Sequence, residues 1–462
     1  MVESESGNSK HRFTSTAAIS IVVANMIGTG VFTSLGFQLL EISSVFVLML
    51  LWLVGGIAAL CGALTYAELG ANLPRSGGEY NFLTRIYHPA AGFISGWISA
   101  TVGFAAPIAL AAMTFGAYLA ASINGVSATV SACCLVIALT ITHCFSRKAS
   151  GGAQVVLTIL KLTLILVFCT LVAMLIDSPQ PITLLPQADD MDLVFGGAFA
   201  VSLIYVNYAY TGWNAATYII DELDDPQRTL PRVLFFGTAL VLIIYLALNF
   251  IFLYAAPMEA MAGKIEIGVI VAEHAFGETG GMIMGIMLAM LLISTVSAMV
   301  IAGPRVLLVI GQDFSIFRFL SRTNSNGIPT VAIISICTLS LIFILSSTFE
   351  SILVFSGFIM GVNTLFSVFG VFVIRWRKMN IEGAYKTFGY PLTPIIYLGI
   401  TFWTLAYILI ERPVEAWGAL GVIAVGLLLF FISKKLESVG DQSVDQSVNH
   451  GKATPSKAEF SD

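Results

Sequence analysis

The stretch Ala24-Asn25-Met26-Ile27-Gly28-Thr29-Gly30-Val31-Phe32 lies inside the first long apolar run, residues 16–37. Gly-Thr-Gly is poor helix material, because each glycine costs about 1 kcal/mol relative to alanine in a helix interior. A helix broken at membrane depth frees N–H and C=O groups that lipid cannot satisfy. Such a break must therefore be buried in protein or line a polar cavity. The half-helix beyond it aims its N-terminal N–H groups, with partial positive charge, into that cavity, a setting that holds a carboxylate. An isolated Gly-x-Gly has a plainer use, the close approach of a neighbouring helix. A second interruption further along favours the broken-helix reading.

Composition sets the frame. Of 462 residues, 57% are hydrophobic and 11% charged, whereas a soluble domain carries roughly 25% charged residues. Each crossing takes about 20 apolar residues, and twelve runs meet that need: 16–37, 43–71, 89–121, 126–144, 152–176, 192–220, 232–256, 280–310, 328–347, 351–374, 391–411 and 414–433. The chain reads as an all-α polytopic membrane protein with 12 transmembrane helices. The third run is long and contains Pro107, which predicts tilt or a kink.

With both termini cytoplasmic, every Lys and Arg except Lys264, Arg412 and the mid-span Lys161 falls on the inner side, as the positive-inside rule requires. The domain reading is a cytoplasmic N-terminal segment (1–15), a transporter domain (16–435) and a disordered cytoplasmic tail (436–462), in the cell (inner) membrane. No cleavable signal peptide is evident. The six cysteines lack metal-ligand spacing and read as small core residues. Between runs, Asn72–His88 predicts a short cytoplasmic helix. Ile265–Phe276 reads as a short helix lying over the outer mouth.

The second interruption is in the sixth run, at Asn207-Tyr208-Ala209-Tyr210-Thr211-Gly212-Trp213-Asn214. It stands five runs after the first, and paired interruptions in two halves point to a transporter site built on an inverted repeat. A helix whose Asn and Thr bond its neighbours is the plainer alternative. Lys161 is the only basic residue of the fifth run and lies nine residues in, roughly 13 Å along the helix. A lysine snorkels only from near a helix end, so this one reads as staying within the bundle, where charges are usually functional. A snorkelling structural lysine is the plainer alternative. Within the bundle it acts either as a fixed charge in place of a coupling cation or as a group that exchanges a proton.

Enzymatic chemistry finds no support. No nucleophile–base pair, metal set or mid-span carboxylate pair is present, and no phosphate-binding loop ends in Gly-Lys-Ser/Thr.

Four motifs carry a resemblance. Met26–Phe32 resembles the first-helix signature of the amino acid–polyamine–organocation (APC) superfamily. Tyr66–Leu69 with Pro74–Tyr80 resembles the second-helix exit and first inner loop. Ala209–Asn214, with Asp221, Glu222, Pro226, Leu230 and Pro231, resembles helix 6 and its exit. Tyr385–Pro391 resembles the entrance to helix 11 in the L-type amino-acid transporter branch.

The resemblance implies a 5+5 inverted-repeat fold with helices 1 and 6 broken. It places the α-carboxylate on the N–H groups of Thr29 and Gly30, with Gly28 shaping the turn. The α-ammonium would lie on the carbonyls of Met26, Tyr208, Ala209 and Thr211, with Asn25 and Asn214 at the pocket edge. Lys161 matches the helix-5 lysine of sodium-independent members. Two departures matter: Tyr208 stands where many L-type members have Phe, and Asn214 stands where arginine and polyamine exchangers have an acid.

The expected function is a sodium-independent secondary transporter, an exchanger of neutral L-amino acids. The alternative is a proton-coupled symporter with Lys161 as proton site, and the remote one a non-transporting sensor or channel of the same fold. No cofactor or metal is expected. No heavy-chain partner is expected either, because the loop Ala121–Ser127 has no cysteine. Arg75, Glu79 and Arg85 read first as charges that solvate a loop, and the alternative is a gate at the inner mouth built from ion pairs with Asp221 or Glu222.

Overall fold

The computed structural model describes residues 14–145 and 151–451, with the backbone alone at 151–155, 157, 315 and 436–451. Most of the expected segment 1–15 and the side chains of the expected tail 436–462 lie outside the described residues.

The first run is two helices. α1 (Ser15–Met26) starts at Thr14, whose hydroxyl accepts the Ala17 N–H at 3.4 Å, and α2 (Gly30–Gln38) begins after a three-residue break. α3 (Val45–Asn72) is capped by Ser44 and leads through Gly77 and Gly78, both at positive φ, into the short α4 (Gly78–Ile86). α5 (Pro89–Ile98) and α6 (Ala105–Ser122) form the third span, joined by a π-helical turn at Ser99–Gly103. The kink expected from Pro107 is thus a π turn four residues before it.

α7 (Ala128–Phe145), α8 (Gly151–Leu175) and the short α9 (Asp190–Val194) lead to the sixth run. There α10 (Gly197–Tyr210) stops, and the chain resumes as a 3-10 segment, Ala215–Glu222. α11 (Pro226–Ala255) and α12 (Met258–Met261) follow. α13 (Ile267–Asp313) is longer than the run 280–310, because the expected outer helix is continuous with the span and bends from it at Gly277 (φ 74°). α14 (Thr330–Ser346), α15 (Phe349–Trp376), α16 (Leu392–Glu411) and α17 (Pro413–Gly451) complete the described chain.

Among the described residues, ten helical stretches are long and apolar enough to cross a membrane. The 17-residue α14 and the interrupted α10 segment occupy the other two runs marked in the sequence. Packing groups the spans around the breaks. α3 lies along α11, and α6 along α13, while α1 contacts α11 and α8. Apolar residues also face outward along α8, among them Leu160 and Leu166, as lipid contact demands. Of the cysteines, Cys61 and Cys337 are buried and Cys134 is exposed.

One buried ion pair ties the frame together at the Tyr385–Pro391 motif. Glu68 on α3 is fully buried and takes Arg375 of α15 in a fork, at 2.7 and 2.8 Å. Its second oxygen also accepts the Thr387 N–H at 2.6 Å, and the guanidinium lies 3.6 Å from the Tyr390 ring centre. Three elements thus converge on one carboxylate. Arg375→Met would leave that carboxylate buried without a cation, at a cost of about 3–5 kcal/mol. A lower melting temperature in detergent should report it, with a smaller drop for Arg375→Lys, which keeps the charge but loses the fork.

Candidate functional site

The two breaks meet. Gly30 lies so close to Ala209 that a Cβ there would run into the Ala209 backbone. Gly212, at φ 107°, would place a Cβ 2.8 Å from the Asn25 carbonyl group. Both glycines are therefore fixed by approach of the opposite break as well as by helix propensity.

At the first break the Gly28 N–H turns back to the Met26 carbonyl at 2.8 Å, and the Phe32 N–H reaches Thr29 at 3.0 Å. The N–H groups of Thr29, Gly30 and Val31 open α2 and have no acceptor within the helix. At the second break Thr211 donates its N–H to Tyr208 and its hydroxyl to Asn207. The Tyr208 hydroxyl lies 3.5 Å from that of Thr29.

Two side chains from neighbouring helices meet the freed carbonyls. Lys161 on α8 is 7% exposed, so it stays within the bundle, and its ammonium donates to the Ile27 carbonyl (2.8 Å) and the Thr295 hydroxyl (3.2 Å). Of the neighbouring hydroxyls of Ser294, Thr295 and Ser297 on α13, Thr295 alone reaches it. Ser294 bonds Leu291 and Ser297 pairs with His143.

The second side chain is Tyr245 on α11, fully buried, whose hydroxyl lies 2.6 Å from the Met26 carbonyl and 3.0 Å from that of Ala209. It bridges both breaks. Sequence reasoning missed it, because a lone tyrosine in the apolar run Leu240–Leu248 breaks no pattern. Of the carbonyls implied for an ammonium, Met26 already accepts two donors, Tyr208 and Ala209 accept one each, and Thr211 accepts none among the described residues.

Around the breaks is a cavity of about 540 Å³. It reaches from Asn25, Gly28, Thr29, Gly30, Tyr208 and Thr211 to exposed Arg75 and Glu222 at one face. The opposite face is shut. There the Phe37 ring stacks on Phe349 at 5.5 Å and lies 5.8 Å from Tyr205. The Tyr205 hydroxyl donates to Glu350 at 2.7 Å, and Arg412 pairs with the same carboxylate. The outer helix that leads into α13 is tied to this end: Gly263 donates to the Gly36 carbonyl at 2.8 Å, and Tyr118 bridges Gly268 and Phe32.

At the open face the ion pairs of the gate alternative do not form. Among the described residues, none joins Arg75, Glu79 or Arg85 to Asp221 or Glu222. Glu79, 1% exposed, instead accepts from Asn214, from Tyr218 at 2.6 Å and from Tyr66 at 3.1 Å. Ser76 and Asp221 exchange two hydrogen bonds at 3.1 Å. The physical reason is burial: a sequestered carboxylate is satisfied by several neutral donors without bringing a second charge out of water. Asn214 therefore lines the cavity with its amide turned to Glu79, while the Asn25 amide caps the Ile21 carbonyl at 2.8 Å. Nearby, burial and the Asp313 carboxylate push the Tyr80 phenol up, so it keeps its proton and donates to Asp313 at neutral pH. Trp213 packs edge-on against Tyr66 at 4.6 Å.

A profile of amino acid permeases matches residues 13–439. The chain belongs to the amino acid permease family. Within the APC superfamily it resembles the L-type branch. It is 27% identical over 430 residues to the rabbit (Oryctolagus cuniculus) large neutral amino acids transporter small subunit 2, covering 90% of this chain and 79% of the relative. It is 28% identical over 425 residues to the serine/threonine exchanger SteT of Bacillus subtilis, covering 90% and 95%. Against the mouse (Mus musculus) Asc-type amino acid transporter 1 the figures are 24% over 429 residues, 90% and 80%. This permease is thus a multi-pass membrane protein of amino-acid transport.

Two substitutions probe the meeting of the breaks. Tyr245→Phe leaves the Ala209 carbonyl without a donor among the described residues and Met26 with the Gly28 N–H alone, and should cost about 1–3 kcal/mol of stability, read as a lower melting temperature. Gly30→Ala, whose methyl collides with Ala209, should insert in the membrane yet lose the thermal protection that an amino-acid substrate gives.

Proposed function

We propose that this permease is a sodium-independent exchanger of neutral L-amino acids, working by alternating access on a twelve-helix 5+5 inverted repeat. The observation that carries the reading is the contact of the two breaks, Gly30 against Ala209 and Gly212 against Asn25. The N–H groups of Thr29 and Gly30, which have no acceptor within the helix, and Thr211 line one cavity. The α-carboxylate takes the N–H groups, with Gly28 shaping their turn. The α-ammonium takes Thr211 and the spare lone pairs of Tyr208 and Ala209. Donors at a half-helix start and acceptors at a half-helix end suit a zwitterion.

A neutral side chain fits the cavity wall, whose charged members, Arg75, Glu222 and Arg305, are all exposed. The Lys161 ammonium on the Ile27 carbonyl supplies a fixed positive charge beside the first break, which supports transport without sodium. The open face carries Arg75, so this conformer is inward-open, with both termini cytoplasmic. Substrate that binds inward- and outward-open states differently shifts their populations. We assign the permease no disulfide-linked partner, because the connection between α6 and α7 has no cysteine.

A proton-coupled symporter is the second reading, favoured by one feature: no carboxylate pairs with Lys161 among the described residues. Proteoliposomes loaded with unlabelled amino acid should take up labelled serine, alanine or leucine several-fold faster than empty ones, with no response to sodium. Uptake into empty vesicles that follows an inward proton gradient, and loses that dependence in Lys161→Ala, would select the symporter. No uptake across a full amino-acid panel would overturn both.

A further inference from the structure

A third interruption faces the same cavity. The π turn Ser99–Gly103 lies near the middle of the 34-residue span Pro89–Ser122. In an α-helix the Gly103 carbonyl would receive the N–H of residue 107, and Pro107 has none. The next N–H, that of Ile108, is engaged by Phe104 at 3.1 Å. The Gly103 carbonyl therefore has no helical donor at a depth where lipid offers none. Ser99, Gly103 and Pro107 all line the cavity. Ser99 has spent its only proton on the Ser95 carbonyl, at 3.0 Å, so towards the cavity it too can only accept.

We propose that Ser99 and Gly103 form a subsite for the substrate side chain, selecting neutral amino acids whose side chain donates a hydrogen bond: serine, threonine, asparagine or glutamine. This rests on the zwitterion reading above, which places the backbone of the substrate at the two other breaks and leaves its side chain to reach the third. Both groups on this wall are acceptors, so an apolar side chain leaves them unmatched, whereas an O–H or N–H completes them. The surrounding wall is apolar: Phe104, Pro107, Ala111 and Met360, the last with its sulfur 3.6 Å from where a Gly103 Cβ would stand. A wall of that kind without acceptors would favour valine over threonine, because the hydroxyl is costly to strip of water. The preference expected here has the opposite sign.

The experiment measures inhibition constants of unlabelled threonine against valine, and serine against alanine, for labelled amino-acid uptake into proteoliposomes. The wild type should favour threonine by about five- to tenfold, the factor one net hydrogen bond supplies. Pro107→Ala restores the missing N–H to the Gly103 carbonyl and should bring both ratios towards one. Equal or better inhibition by valine in the wild type overturns the subsite, as does discrimination unchanged in a transporting Pro107→Ala. If Pro107→Ala fails to insert, the wild-type ratios and the same measurement on Ser99→Ala decide. Inhibition by no amino acid at all would overturn the zwitterion reading along with the subsite, whereas uptake without discrimination overturns the subsite alone.

Discussion

A backbone amide inside a bilayer has no water to turn to, and every feature of this permease that bears on transport answers that constraint. Three spans give up regular helix at mid-depth. Each then needs a partner for the groups set free, and the molecule supplies one in a different way each time. A lysine reaches Ile27, a tyrosine bridges Met26 and Ala209, and a cavity takes what is left. The interruptions cost helix stability, so they persist only because the surrounding helices hold a site around them.

The same constraint separates rigid from yielding parts. Around Glu68 a charge pair, a backbone donor and a cation over an aromatic ring fix three elements together. At the open face Glu79 is held by neutral donors alone, from α3 and from the 3-10 segment after the second break. Hydrogen bonds from neutral donors to a carboxylate contribute about 1.5–3 kcal/mol each, against about 3–5 kcal/mol for breaking a buried ion pair. Tight pairing thus joins α3, α15 and the α16 entrance.

Much of this was legible in the residues. Gly28, Gly30 and Gly212 violate helix propensity inside apolar runs, so the breaks are visible before any coordinate. Lys161 is conspicuous because charge is rare at that depth. Tyr245 was not legible, since its role depends on which carbonyls lie opposite, and that is set by packing between α11 and both breaks. Glu79 was not legible for a related reason: sequence tells that Arg75 and Glu222 share a region but not that Glu79 is buried among hydroxyls and an amide. Pro107 announced a kink. That the distortion would take the form of a π turn on the cavity wall depended on how α5 and α6 pack against α13 and α15.

The stacked Phe37 and Phe349, locked behind the Tyr205–Glu350–Arg412 group, have a pharmacological consequence. A blocker arriving at that face meets a plug and not a vestibule. On the alternating-access reading proposed above, its apparent potency is scaled by the fraction of molecules in which the plug has parted. Two compounds of equal intrinsic affinity, one permeant and one confined to that face, would differ in potency by this factor alone.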